Sequence, residues 1–153
     1  MNVTLREITA DTVVSIIKLT VAESQKGYVA SNSVSLAQAL FQEEAWYRAV
    51  YLDDEPVGFV MLEDDSLASE PPDEPGVYLW RFMIDEKFQG RGIGKAALEL
   101  VIEHVRTNRT APKLTLSYVP GPGEPADFYR GFGFEPTGEV DEGEIVMALE
   151  IAR

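Results

Sequence analysis

Apolar and polar residues recur with two periods along the chain, and these periods predict its secondary structure. Residues 3–8 alternate and predict a first strand. In WYRAVYLDDEPVGFVML two apolar runs flank the turn residues Asp53-Asp54-Glu55-Pro56, which predicts a β-hairpin. Further strands are predicted at residues 77–84, 113–119, 132–139 and 144–151.

Two helices are predicted between the first strand and the hairpin. Thr9 or Asp11 can cap the first helix, which continues to about Val21. Its apolar spacing places four residues on one face, namely Val13, Ile16, Ile17 and Thr20. The segment SVSLAQALFQEE predicts the second helix, with a cap near Ser33 or Ser35.

A long helix at residues 94–106 and a short one at 125–130 complete the predicted elements. Their order, βααβββαβαββ, predicts one domain of mixed α/β (α+β) class over residues 1–153. We expect a mixed, mostly antiparallel sheet of about seven strands with helices on both faces. Within one strand, Trp80 and Arg81 are expected to face opposite sides.

The loop EDDSLASEPPDEPG contains six acids, three prolines and no base. It is too short and too local to link two domains. Two interpretations stay open: a rim that attracts cations, and a solvated loop without a ligand.

The overall charge bears on the partner. The chain has 26 acidic and 13 basic side chains, a net charge of −13, which argues against nucleic acid or an anionic membrane. A small cationic substrate would be attracted, although the charge can also serve solubility alone. No apolar run approaches the roughly 18 residues of a membrane span, and no signal-peptide pattern is visible. We therefore expect a cytoplasmic protein.

The chain has no cysteine and one histidine. The lack of cysteine excludes disulfide bonds, thiolate metal ligands and a thiol nucleophile. His104 lies inside a predicted helix without a second histidine, so we expect a structural role for it. A metal is not expected in the mechanism.

The segment QGRGIG, between a predicted strand and the long helix, has three glycines within five positions. Glycine costs backbone entropy, so this density indicates that a ligand approaches the main chain closely. Unpaired N–H groups at a helix N-terminus favour anions, above all phosphate. Residues 81–95 also contain four bases against two acids, the bases being Arg81, Lys87, Arg91 and Lys95.

Two common phosphate motifs fit this turn poorly. A P-loop fails because Gln89 stands at its first glycine position and Ala96 follows Lys95. Residues 92–97 do fit the dinucleotide pattern G-x-G-x-x-A. However, the next strand, KLTLSYVP, offers no acid to hold a ribose, and that fingerprint normally lies in the first strand–helix unit.

Two motifs resemble one known family. Gln89-x-x-Gly92-x-Gly94 resembles the acetyl-CoA pyrophosphate loop of the GNAT N-acetyltransferase superfamily. The segment ADFYRGFGFEPTGEV resembles that superfamily's later A-x-x-x-Y-x-x-x-G-F segment, with Tyr129 in the tyrosine position. The predicted element order is also that of GNAT folds. The resemblance therefore spans the chain and implies a single GNAT-like domain.

The segments YLWRFMIDEKFQGRGIGKAA and VAESQKGYVASNSVSLAQA further resemble bacterial GNAT proteins grouped with spermine/spermidine (diamine) N-acetyltransferases. Two positions depart from the family pattern. GPGEP stands where many members have an Asn ahead of the tyrosine helix, and Pro125 stands at the usual alanine position.

The resemblance implies a role for each motif. The pantetheine arm would pair with the strand at Phe82, Met83 and Ile84, which requires the neighbouring strand to splay away. Tyr129 would protonate the departing CoA thiolate; the alternative is an ordinary core tyrosine between two phenylalanines. The pyrophosphate would be bound by the N–H groups of Gln89, Gly90, Arg91, Gly92, Ile93, Gly94 and Lys95.

Acetyl transfer to an alkyl ammonium also requires a base or a water wire to a carboxylate. An ammonium with a pKa of about 10.4 must lose a proton at pH 7, which costs about 4.6 kcal/mol. By the resemblance, Glu23, Glu43 and Glu44 lie on or near one wall of the substrate cleft. The other candidate substrate contacts are Tyr28, Ser31, Asn32 and Trp80. The first three lie in a loop that is either on the substrate side or a plain interhelical turn. Trp80 either forms the floor of the amine site or packs in the core.

The leading hypothesis is an acetyl-CoA-dependent N-acetyltransferase that acts on a small polyamine by direct attack in a ternary complex. The amine could instead be an aminoglycoside, an amino acid or a protein N-terminus. Two further alternatives are an acyl-CoA-binding module without turnover and an unrelated α+β domain whose glycines only make turns. A homodimer is expected from the family resemblance alone.

Overall fold

The structure, a computed structural model, describes residues 1–108 and 111–151. Its strands are β1 (Val3–Arg6), β2 (Ala45–Leu52), β3 (Glu55–Asp64), β4 (Val77–Ile84), β5 (Lys113–Tyr118), β6 (Glu135–Asp141) and β7 (Glu144–Glu150). Its helices are α1 (Val13–Ile17), α2 (Asn32–Ala39), α3 (Ile93–Asn108) and α4 (Ala126–Arg130). Single 3-10 turns lie at Glu23–Gln25, Asp65–Leu67 and Glu86–Phe88. The predicted order βααβββαβαββ is confirmed.

The seven strands form one sheet in the order β1-β2-β3-β4-β5-β7-β6. All neighbouring pairs are antiparallel except β4 and β5, so the sheet is mixed and mostly antiparallel, as predicted. The parallel pair is short: only Val77 with Leu114 and Tyr78 with Thr115 are paired. Beyond Tyr78 the two strands separate, which leaves an opening between their C-terminal parts.

Apolar cores lie on both faces of the sheet. On one face, α3 contributes Leu98 and Val101 to a cluster that includes Leu114 of β5. On the other face, Ile16 of α1 packs against Phe59 of β3, and α2 lies at the edge of this second cluster. Helices therefore cover both faces, as the element order predicts.

A β-bulge in β4 changes the direction of two side chains. The register between β3 and β4 shifts after Met61, which pairs with Arg81, and Trp80 is left without a partner. Trp80 packs into the core beneath α1 and α2. Arg81 donates to Gln38 Oε1 of α2 at 3.0 Å, with its guanidinium 5.3 Å from the Trp80 ring centroid. Both side chains reach the same side, so the expectation of opposite sides was wrong.

The first helix is shorter than predicted. It ends at Ile17, whose side chain is 43% exposed, and only Ile16 of the predicted face is fully buried. The chain turns away because tertiary bonds hold its next residues: Thr20 N–H donates to Asp85 Oδ1 at 2.8 Å, and Thr20 O accepts from Glu86 N–H. These partners are 65 and 66 residues away in sequence, beyond the reach of local periodicity.

Two element boundaries also differ from the prediction. Ser31, rather than Ser33 or Ser35, caps α2, since its hydroxyl accepts from Val34 N–H at 3.3 Å. The strand predicted from residue 132 begins at Glu135, because the preceding residues turn back on α4 and Phe134 N–H donates to Tyr129 O.

The acidic loop is partly held by its own carboxylates. Asp64 is 3% exposed and accepts from the N–H and hydroxyl of Ser66. Asp65 accepts from Gly76 N–H at 2.9 Å, which closes the loop. These two acids stabilise the loop, whereas three others are exposed, namely Glu70, Asp73 and Glu74.

Within the described part of the chain, no helix is long and apolar enough to cross a membrane.

Gly58 allows β3 and β4 to pair closely. A Cβ at this position would lie 2.5 Å from Met83 O and 2.8 Å from Ile84 Cδ1. We expect Gly58→Ala to lower the free energy of unfolding by about 1–3 kcal/mol, because the strand backbone cannot move aside without loss of pairing. Urea unfolding of both proteins measures this difference.

Gly27→Ala is the matched control, since a Cβ there has no neighbour within 4 Å. Equal unfolding midpoints for Gly58→Ala, Gly27→Ala and the unsubstituted protein would contradict this account of β3–β4 packing.

Candidate active site

The opening between β4 and β5 continues into a cavity of about 1010 Å³. Residues 79–84 of β4 and residues 116–119 at the end of β5 line it. Because β5 diverges from β4 after Tyr78, the edge of β4 that faces β5 has no strand partner beyond that residue. An extended ligand could therefore bind the free edge of β4 through backbone hydrogen bonds. No residue of the acidic loop 63–76 lines this cavity.

The glycine-rich turn between β4 and α3 presents bare main chain to the cavity. Gly90 and Gly92 have φ angles of +77° and +82°, a region that other residues rarely adopt. A Cβ at Gly90 would meet nothing within 4 Å. The first bond of α3 runs from Ala96 N–H to Gly92 O at 3.1 Å, so the preceding N–H groups lack helical partners. This geometry suits an anion.

Polar side chains hold the turn in place. Gln89 Nε2 donates to Ile84 O at 2.9 Å and to Gln25 Oε1 at 2.8 Å. Asp85, only 6% exposed, accepts from the N–H groups of Thr20 and Lys87. Sequence reasoning missed Asp85; its signal is an acid directly after an apolar strand and before the glycine turn.

The predicted turn residues are not equivalent. Ile93 is 1% exposed and belongs to a core cluster, so only its main chain can reach a ligand. Arg91 is exposed, with its guanidinium 5.3 Å from the Phe88 ring centroid. Five turn residues line the cavity, namely Gln89, Gly90, Gly92, Gly94 and Lys95.

The predicted cofactor strand also lines the cavity, through Phe82, Met83 and Ile84. Met83 and Ile84 are 6% and 8% exposed and belong to core clusters. Because their side chains are buried, a ligand in the cavity would contact these two residues mainly through main-chain atoms. Phe82 stacks with Phe128 of α4, with ring centroids 6.3 Å apart.

Tyr129 of α4 lines the same cavity. Its ring meets Phe128 and Phe134 edge to face, at centroid distances of 5.4 and 5.7 Å. Burial, with a smaller effect of Tyr78, raises the pKa of the Tyr129 hydroxyl above its ordinary value. The hydroxyl thus stays protonated at neutral pH and can donate a proton to a ligand in the cavity.

Two of the predicted substrate contacts line the cavity, Tyr28 and Trp80. The Tyr28 hydroxyl donates to Pro122 O, which joins the segment before α2 to the PGPGEP segment before α4. Trp80 packs in the core beneath α1 and α2 and still contributes to the cavity wall. The core alternative for Trp80 is therefore confirmed, and its contact with an amine stays a prediction.

Four other predicted contacts lie outside the cavity lining. Glu23 is exposed and pairs with Lys26 at 2.8 Å. Ser31 caps α2, and Asn32, 2% exposed, donates its amide to Ile16 O at 2.9 Å. Glu44 accepts from Asp64 N–H through its carbonyl. The structure thus gives Ser31 and Asn32 structural partners, because α2 begins earlier than predicted and carries them out of the loop.

Three acids that were not predicted as site residues line the cavity: two from the predicted turn and the first residue of the predicted last strand. They come from the β6–β7 hairpin, which spans the predicted Asp-Glu-Gly turn. The three residues are Asp141, Glu142 and Glu144. Their signal in the sequence is weak, because an acidic turn between two strands is usually solvated.

His104 lies away from the cavity, stacked on Trp46 with ring centroids 4.1 Å apart. Burial, and the nearby Arg48 charge, lower the pKa of its imidazole. Across residues 1–108 and 111–151, no group of three or more His, Cys, Asp or Glu side chains is arranged to hold a metal ion.

Similarity to known proteins identifies the family of this chain. The Acetyltransferase (GNAT) family matches residues 13–134. A spermine/spermidine N(1)-acetyltransferase from Bacillus subtilis (strain 168) is 32% identical over 154 aligned residues, which cover 99% of this chain and 100% of that protein. The chain therefore belongs to the GNAT acetyltransferase family. It is an N-acetyltransferase.

Solved structures share the fold. An aminoglycoside acetyltransferase in complex with coenzyme A superposes with a TM-score of 0.75 at 16% identity, over 97% of this chain and 95% of that one. The PaiA N-acetyltransferase from Thermoplasma acidophilum, also in complex with coenzyme A, has a TM-score of 0.68 at 12% identity, over 98% and 99% of the two chains. At these identities the likeness shows the fold alone.

Proposed function

We propose that this chain transfers an acetyl group from acetyl-CoA to a primary amine of a small polyamine, such as spermidine, spermine or a diamine. The observation that carries the proposal is that two surfaces of different chemistry line one cavity. The glycine turn offers main-chain N–H groups and Lys95, and the β6–β7 hairpin offers three carboxylates. The first suits a diphosphate and the second a polycation.

The cofactor side is built from main chain. The N–H groups from Gln89 to Lys95 would bind the pyrophosphate, with charge from Arg91 and Lys95. The pantetheine arm would run along the free edge of β4 at residues 82–84, and an N–H there would polarise the acetyl carbonyl. Coenzyme A bound to solved proteins of this fold supports acetyl-CoA as the cosubstrate.

The polyamine is supported by charge and by likeness. A net charge of −13 attracts polycations in general, and the hairpin acids direct them to the cavity. Relatives 32% identical over almost the whole chain are named for spermine or spermidine. Tyr28 and Trp80 add aromatic surface to the wall, and aromatic faces attract alkyl ammonium groups.

The chemistry then needs no covalent enzyme intermediate. The neutral amine attacks the thioester carbonyl in a ternary complex, the C–S bond breaks, and the CoA thiolate leaves. Tyr129, protonated and facing the cavity, gives its proton to that thiolate. After the attack the substrate nitrogen loses a proton to solvent, and solvent returns a proton to Tyr129.

An amine panel with a colorimetric thiol readout tests the substrate. We expect spermidine and spermine to release CoA faster than an aminoglycoside, an amino acid or a peptide N-terminus. CoA release with one of these and not with polyamines would overturn the polyamine assignment. Tight acetyl-CoA binding without consumption of any amine would instead indicate a binding module.

Gly92→Glu should abolish acetyl-CoA binding. The added side chain has to adopt a φ of +82° and brings a negative charge to the diphosphate site. We expect the dissociation constant, measured by calorimetry, to rise at least about 100-fold, or about 2.7 kcal/mol. Gly138→Glu is the control, because it has the same charge and a φ of +90° on exposed β6. Similar losses in both variants would indicate misfolding rather than a lost site.

Tyr129→Phe should act on turnover instead. Removal of the proton donor is expected to lower kcat by about 100-fold, while the acetyl-CoA dissociation constant stays within about twofold. Stopped-flow turnover and calorimetry on the same preparation separate the two effects. Unchanged kcat would leave Tyr129 as an ordinary core residue.

The homodimer expected from the family resemblance stays a prediction, and sedimentation of the purified protein tests it. The cytoplasmic location is likewise a prediction from the sequence.

A further inference from the structure

Three side chains from three strands form a hydrogen-bonded chain in the cavity wall. The Tyr78 hydroxyl of β4 bonds to the Ser117 hydroxyl of β5. The Ser117 hydroxyl in turn donates to Glu144 Oε1 of β7 at 3.0 Å. All three residues are partly buried and line the cavity. None of the three was among the predicted site residues.

The alternation of side chains places this chain on one side of the sheet. Leu116 and Tyr118, which flank Ser117, pack in the core beneath α3. Ser117 therefore points to the opposite side, and Tyr78 does so too, since Val77 and Leu79 also pack beneath α3. This is the side that α1 and α2 cover.

Tyr129 stands on the other side of the opening, because it packs against the α3-side core. An amine entering from the α1/α2 side would thus meet Tyr78 before it reaches the parted strands. The two tyrosines flank the opening from opposite sides.

The direction of the hydrogen bonds follows from the chemistry of their last member. An ionised carboxylate can only accept, so Ser117 must donate its proton to Glu144. The Ser117 oxygen then accepts the proton of Tyr78. The Tyr78 hydroxyl proton is thus used in the bond to Ser117, and the lone pairs of the Tyr78 oxygen face the cavity. It is therefore an acceptor for an N–H group of a ligand.

On the basis of the proposed function, we propose that Tyr78, Ser117 and Glu144 relay the proton that the substrate ammonium must lose before it attacks. The ammonium N–H bond breaks as Tyr78 oxygen accepts the proton. Tyr78 passes its own proton to Ser117, and Ser117 passes its proton to the Glu144 carboxylate. The amine keeps the electron pair and attacks the thioester carbonyl. Glu144, at the partly exposed cavity edge, then releases the proton to water.

The sequence candidates for the base are less well placed. Glu23 and Glu44 do not line the cavity. Glu43 is exposed and accepts from the N–H and hydroxyl of Ser69, bonds that lower the pKa of its carboxyl. Asp141 and Glu142 line the cavity, but Glu144 is the one that reaches β4 through Ser117.

Other ionisable groups face the relay from the elements around it. They set the charge that the incoming ammonium meets and would contribute to any pH profile. Those lining the same cavity are Lys26, Tyr28, Arg81, Lys95, Tyr118, Tyr129, Asp141 and Glu142. The test therefore includes a control variant that removes the same charge as Glu144→Gln at a position outside the cavity.

The experiment measures kcat and kcat/KM of the full chain between pH 6.5 and about 9.5, with the amine that the panel identifies. Three variants break the relay at different points: Glu144→Gln, Ser117→Ala and Tyr78→Phe. Glu139→Gln is the control, because it removes the same charge from an exposed position on β6 outside the cavity. Circular dichroism and acetyl-CoA binding verify that each variant is folded.

We expect each relay variant to lose about 100-fold in kcat at pH 7 and to keep the acetyl-CoA KM of the unsubstituted protein. The deficit should shrink about tenfold per pH unit as solution deprotonates an amine of pKa about 10.4. The double variant Tyr78→Phe/Glu144→Gln should be no slower than either single one, since the members act as one unit.

A deficit that is constant across pH, or additive in the double variant, would overturn the relay and leave a structural role. So would kcat values equal to that of Glu139→Gln. In either case the unsubstituted protein still acetylates an amine, so the proposed function stands. If the unsubstituted protein acetylates no amine of the panel, the proposed function and the relay both fall.

Discussion

The separation of β4 and β5 after two paired residues is the constraint on which the site depends. A strand inside a sheet normally has both edges paired, and an unpaired edge away from water is costly. Here the free edge of β4 faces a cavity, where a ligand can take the place of the missing strand. Helix α4 packs beside the opening, where Phe128 stacks on Phe82 and keeps aromatic surface next to the exposed main chain.

Around this opening the protein separates two kinds of charge. The glycine turn and Lys95 provide positive potential through main-chain dipoles and one ammonium, within a strongly acidic chain. The β6–β7 hairpin brings carboxylates to the same cavity from residues about 50 positions further along. A diphosphate and a polycation could therefore occupy one cavity without competing for the same surface.

Rigid support makes such a site effective. The turn that presents bare N–H groups has little bulk of its own, so it is held by buried polar contacts of Asp85 and by the two bonds of the Gln89 amide. These contacts tie β4, the turn and the segment after α1 into one unit. Preorganised donors lose little free energy to reorganisation when an anion binds.

Features with local signals could be predicted from the amino-acid sequence alone. Periodicity located nearly every element, and the glycine spacing located the turn at residues 89–95. Tyr129 was identified through the resemblance of its segment to a family motif, and it lines the cavity. The set of polar side chains that share the cavity depends on long-range contacts. A one-residue bulge at Trp80 redirected Arg81, an earlier start of α2 buried Asn32, and strand pairing brought Glu144 beside Ser117. Because a shift of a single residue exchanges the two faces of a strand, such long-range pairings are not encoded in any short window of sequence.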